Sequence, residues 1–135
     1  MPCGTTAYVN EDRAMGLGYV FATILIGTYA LASAAQADGF AKIDNEERFR
    51  SVIQGKSLHY PGIKLRVEET GEIMGRALGR AVTGDWAWQS GYFCRNLKWG
   101  SRDIGYNCQE VRVNDNKLRF TSDRGAGRSA VLSLR

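Results

Sequence analysis

From residue 63 onward, apolar and polar positions alternate in short runs separated by glycine-bearing turns. Ile63, Leu65 and Val67 alternate with Lys64, Arg66 and Glu68 after Pro61-Gly62, the pattern of a half-buried strand. Thr70-Gly71 reads as the next turn, 72–78 as a strand, Thr83-Gly84 as another turn, and 85–89 as a strand with Trp86 and Trp88 on one face. Ser90-Gly91 precedes a strand over 92–99, in which Phe93, Leu97 and Trp99 share a face while Tyr92 and Cys94 point the other way. Over 104–113 the same alternation sets Val111 and Val113 against Tyr106 and Cys108. Asn114-Asp115-Asn116 suits a tight hairpin turn and 117–121 carries Leu118 and Phe120 inward. Gly125 to Gly127 then leads into a last strand with Ala130, Leu132 and Leu134 alternating. About seven or eight short strands at this spacing predict an all-β, mainly antiparallel domain, a small barrel or sandwich.

One segment has a helical period instead. Asp44 is the expected N-cap, with Glu47 as its capping-box partner, and Phe49, Val52 and Ile53 share one face before Gly55 stops the turn. A short amphipathic helix is therefore expected to open the domain.

The N-terminal residues follow a different pattern. No charge occurs between Arg13 and Asp38, and 15–37 is apolar or small, ending Ala35-Gln36-Ala37. This is a signal-peptide pattern with cleavage expected after Ala37, giving a periplasmic or secreted protein. The stretch is also long enough to span a bilayer, so an uncleaved membrane anchor is the alternative. Residues 1–14, which hold Cys3, read as an upstream extension if translation begins at Met15. The expected organisation is 1–37 as extension and signal, and 38–135 as a single β domain.

The whole chain carries a formal net charge of +4. Loss of 1–37 removes Glu11, Asp12 and Arg13 and leaves +5. The basic residues are spread along the strands without forming a run, which reads as solvated strand faces, and export argues against nucleic acid as a partner. Cys94 and Cys108 are the two cysteines after residue 37, and in an oxidising compartment they read as a disulfide. In the chain-entropy model a loop of this size contributes about 3 kcal/mol. If the two segments are antiparallel neighbours, the bond lies on the outer or second face, beside Tyr92 and Tyr106. The spacing is not that of a C-x-x-C motif and the single histidine, His59, cannot complete a zinc shell, so no metal site is expected.

Catalytic chemistry is harder to find. Gly125-Ala-Gly-Arg-Ser-Ala130 matches the dinucleotide fingerprint formally, yet only five residues follow Ala130, too few for the helix and acidic residue that the fingerprint needs. It reads as a hairpin loop, and no cofactor is expected. Gly71, Gly75 and Gly79 read as turns or bends in a curved sheet. Asp85, Asp103, Asp115 and Asp123 sit in or beside predicted turns, with a catalytic carboxylate pair as the alternative. The candidate binding residues are Trp86, Trp88, Tyr92, Arg95, Trp99, Arg102, Asp103 and Tyr106, grouped around the 100–105 loop. Such rings make a stacking surface, and they also fill the interior of a small barrel.

The runs Gly84-Asp-Trp-Ala-Trp, Gly91-Tyr-Phe-Cys-Arg, Gly105-Tyr-Asn-Cys-Gln-Glu-Val and Leu118-Arg-Phe-Thr-Ser-Asp-Arg-Gly, with the terminal Ser-Leu-Arg, resemble a family of small exported bacterial proteins. The resemblance covers essentially all of 38–135. Members are often labelled dihydrodipicolinate reductase, a label that implies NAD(P)H-dependent reduction of a cyclic imine. The resemblance implies a shared fold and disulfide, but no catalytic residue transfers: the Rossmann fingerprint and histidine-pair motif of those reductases have no counterpart here. The expectation is a monomeric, exported, non-enzymatic module that binds a small ligand, an envelope component or a protein, as an inhibitor would. The alternatives are the labelled reductase and an anchored envelope protein.

Overall fold

The computed structural model describes residues 38–135; the expected signal segment, its cleavage site and Cys3 lie outside the described residues. In chain order the elements are β1 (Ala41–Ile43), α1 (Glu46–Ile53), β2 (Leu58–Tyr60), β3 (Ile63–Val67), β4 (Glu72–Ala77), β5 (Arg80–Gln89), β6 (Tyr92–Trp99), β7 (Arg102–Asn114), β8 (Lys117–Thr121) and β9 (Ser129–Leu134), with a 3-10 turn at Asp123–Gly125 before β9.

Every pairing is antiparallel. Strands β2 to β9 each pair with the next, and β9 returns to β2 through Leu58↔Leu134, closing an eight-stranded barrel. Closure removes the exposed sheet edges that an open sandwich would leave. The ninth strand, β1, lies against β7 at Ala41↔Val113 to Ile43↔Val111. It takes up the edge of β7 beyond Phe93↔Gln109, where β6 has ended.

Inward positions follow the alternation: Val67, Ile73, Trp86, Phe93, Val111, Leu118, Phe120 and Leu134 are buried in one cluster. Helix α1 supplies the rest of that cluster. Its Phe49 is fully buried, with ring centroids 5.2 Å from Trp86, 5.2 Å from Trp88 and 5.1 Å from Phe93. Phe49 and Ile53, one turn apart on the same helical face, therefore plug one end of the barrel.

Three local readings are corrected. The helix N-cap is Asn45, whose Oδ1 accepts from the Arg48 amide at 2.9 Å, while the Asp44 carboxylate accepts from the Asn45 side chain. The domain opens on β1, whose three residues are too few to display a period, and α1 follows it. Thr83-Gly84 is not a turn but the middle of β5, and Asp85 stands in that strand beside it. The turn lies earlier, at Leu78-Gly79, where both residues have positive φ (51° and 80°) and Ala77 pairs with Arg80.

Gly84 is glycine because its neighbour is close: an added Cβ would lie 2.0 Å from the Asn96 carbonyl oxygen. Gly75 is in the same position, 2.1 Å from the Lys64 carbonyl oxygen, at φ 158°. Both mark close backbone approach where the small barrel bends.

Candidate functional site

The barrel has one closed end and one open end. The closed end is filled by α1 and the rings around Phe49. The other end carries the turns Pro61-Gly62, Leu78-Gly79 and the hairpin at Gly100-Ser101, together with the loop that joins β8 to β9. Among the described residues no helix covers it, and large apolar residues stand exposed around it: Leu78 at 71%, Tyr60 at 52% and Ile104 at 51%. Leu78 packs over the Pro61-Gly62 turn, and its amide donates to the Gly62 carbonyl at 2.8 Å.

Between the two ends lies a cavity of about 150 Å³. Its floor is Leu58, Val67, Ile73, Phe93 and Phe120, all buried, and its walls are Leu65, Leu97 and Leu132, which are half-buried. Ala130 lines the same space and is exposed, so the cavity reaches solvent on the side of the uncapped end. The gradient from buried floor to exposed rim is the geometry of a pocket entered through the mouth of a barrel.

The wall carries Arg95 and Gln109 among its apolar residues. Strand alternation dictates the position of Arg95: it falls between Phe93 and Leu97 on the inward face of β6 and pairs in register with Trp86. Its Nη1 donates to the Gly105 carbonyl oxygen at 2.9 Å. Burial pushes the pKa of this guanidinium below its ordinary value, because the charged form has lost part of its water.

The eight candidate binding residues divide among several places. Trp86 is 6% exposed and its Nε1 donates to the Glu68 carbonyl at 2.8 Å. Trp88 stacks on Phe49 at an interplanar angle of 29°. Trp99 lies at the rim, its Nε1 bonded to the Ala77 carbonyl at 2.7 Å and Arg80 over its ring at 4.9 Å. None of the three tryptophans lines the cavity, which lies beside them. Tyr92 and Tyr106 are on the outer face: Arg124 and Lys42 stand over the Tyr92 ring, and the Tyr106 hydroxyl lies 3.3 Å from Cys108 Sγ.

The 100–105 loop is shorter than the sequence implies. Strand β7 begins at Arg102, directly after Gly100-Ser101, and a bulge skips Ile104 so that Leu97 pairs with Gly105 and Lys98 with Asp103. Asp103 accepts from the Gly105 amide at 2.8 Å, a local turn bond that occupies its carboxylate. Of the eight residues, only Arg95 reaches the cavity. The cavity residues that the sequence reading missed, Leu65, Gln109, Ala130 and Leu132, carry the signal of inward parity alone, which every core residue shares.

On the outside of the same strands, Cys94 and Cys108 are register partners with Cα atoms 3.9 Å apart and form a disulfide. Among the described residues no helix is long and apolar enough to cross a membrane. No cluster of three His, Cys, Asp or Glu side chains suited to a metal ion occurs among them either. Comparison with protein-family models, with curated proteins and with solved structures gives no match to this chain.

Proposed function

We propose that this chain is an exported binding module that takes a small, largely apolar ligand into the barrel through its open end. The observation that carries this reading is the 150 Å³ cavity, floored by Phe93 and Ile73 and reaching exposed Ala130 on the side of the uncapped barrel end, where Leu78 and Tyr60 stand exposed. Apolar cavities of roughly this size accept a benzene-sized guest, whose burial removes apolar surface from water. The disulfide supports export, since such bonds persist in oxidising compartments. The ligand contacts then lie in the lumen, below the 100–105 hairpin.

Thermal denaturation of the purified chain with and without benzyl alcohol tests the proposal. A ligand at a hundredfold excess over its Kd stabilises by about 2.7 kcal/mol, so Tm rises by several degrees. Ala130→Trp, which fills the mouth from an exposed inward position, abolishes that rise. No rise, or an equal rise in Ala130→Trp, overturns the lumen as the site. A saturable response to NADPH in the same assay would favour instead the reductase implied by the family label.

A further inference from the structure

Arg95 is out of place in an apolar pocket. It is half-buried on the inward face, flanked by Phe93 and Leu97, and shares the cavity wall with a single other polar side chain, Gln109. The ion pairs among the described residues are Arg50–Glu46, Arg66–Glu68, Arg112–Glu110 and Arg119–Asp38, and none involves Arg95. A guanidinium has five N–H donors in a planar fork. Here one of them, on Nη1, has a protein acceptor, the Gly105 carbonyl oxygen. The charge therefore stands partly desolvated in the barrel wall with no carboxylate among the described residues to neutralise it, an arrangement that a bound counter-charge would favour.

Resting on the lumen as the binding site, we propose that its ligand is a small apolar carboxylate, held by the Arg95 guanidinium at its charged end and by the Leu65, Leu97 and Leu132 wall at its apolar end. The fork of the guanidinium matches a carboxylate with two parallel N–H···O bonds, a fit that an ammonium or an amide does not reproduce. The volume sets the size of the apolar part. About 150 Å³ holds a benzene-sized group. A longer acyl or aryl carboxylate would extend past Ala130 towards the uncapped end of the barrel, where Tyr60 and Leu78 stand exposed. A wholly polar anion such as inorganic phosphate gains the charge but forfeits the wall, so the site selects against it.

The same chemistry sets a pH dependence for the ligand. The carboxylate form is the one bound, so affinity falls as pH drops through the ordinary carboxylic-acid range of about 4.

The test is isothermal titration of the full chain with benzoate, benzamide and inorganic phosphate, on the wild type and on Arg95→Met and Arg95→Lys. Benzamide keeps the ring and the planar head but not the charge. The expected result is that benzoate binds roughly ten- to a hundredfold more tightly than benzamide, the range of a charge-assisted hydrogen bond. Phosphate does not bind measurably. Arg95→Met, which keeps the length of the side chain, removes the preference for benzoate, and Arg95→Lys retains part of it. Equal binding of benzoate and benzamide by the wild type overturns the carboxylate assignment while leaving the lumen as a ligand site. Persistence of the preference in Arg95→Met overturns the role of Arg95 in the same way. Failure of both benzoate and benzamide to bind overturns the lumen reading, and the carboxylate with it. The wild-type comparison needs no variant, so a failure of Arg95→Met to fold leaves it decisive.

Discussion

The Arg95 guanidinium donates to the Gly105 carbonyl oxygen at 2.9 Å on the lumen side of β6 and β7, the two strands that Cys94 and Cys108 staple from outside. Gly105 is brought to that position by the bulge that skips Ile104 and pairs Leu97 with Gly105. The staple and the inward cation thus belong to adjacent residues of one strand, on opposite faces.

Removal of the staple is the first prediction. Cys94→Ser with Cys108→Ser costs about 3 kcal/mol through the freed loop of the unfolded chain. Thermal denaturation reads this as a fall in Tm, and in the wild type neither cysteine reacts with an alkylating reagent until a reductant is added. An unchanged Tm would mean that the bond adds nothing to the barrel.

The plug is the second. Phe49 is fully buried and touches three other aromatic rings, so Phe49→Ala opens a large cavity at the closed end and costs about 3–5 kcal/mol. Chemical denaturation measures it. A cost below about 1 kcal/mol would show that the barrel closes without α1.

A third prediction separates the two inward tryptophans of β5. Trp86 Nε1 has the Glu68 carbonyl as acceptor, whereas Trp88 Nε1 is buried with no hydrogen-bond partner. Phenylalanine at 86 removes one of two donors to the Glu68 carbonyl, which keeps the Gly71 amide; at 88 it removes an unsatisfied donor and keeps a ring on Phe49. Trp86→Phe is therefore the costlier change by about 0.5–1.5 kcal/mol, the net scale of one lost hydrogen bond. Equal costs in denaturant unfolding would contradict the assignment.

The fourth concerns the bend. Gly75→Ala sets a Cβ against the Lys64 carbonyl oxygen at 2.1 Å, a backbone contact that cannot be relieved by a rotamer change. The variant is expected to lose several kcal/mol or to fail to fold, the scale of strain imposed on a packed interior. Gly55→Ala, whose Cβ meets nothing within 4 Å, pays only for its positive φ of 70°. A comparison of the two melting temperatures checks the ranking.

How much of this was legible in the sequence depended on length and on what a glycine means. Most strands of five or more residues show their alternation, β5 excepted because Gly84 interrupts it, and the antiparallel pairing of β6 with β7 places the disulfide on the face away from Phe93 and Val111, with Tyr106 beside it. The three residues of β1 and of β2 are too few to show a period of two. Gly84 was read as a turn because composition cannot distinguish a reversal from a close inward approach, whereas Leu78-Gly79, the real turn, has a bulky residue at positive φ. The inward position of Arg95 was present in its parity with Phe93 and Leu97, but a cation among aromatics reads first as a surface residue. The cavity itself is a difference between the space enclosed by eight strands and the volume of the side chains filling it, and no local pattern records that difference.

The most direct test of the account is a crystal structure of the chain exposed to benzene. The account predicts density for the guest inside the barrel, against Phe93, Leu65, Leu97 and Leu132. An empty lumen with benzene bound elsewhere, or with side chains collapsed to fill the space, would contradict it.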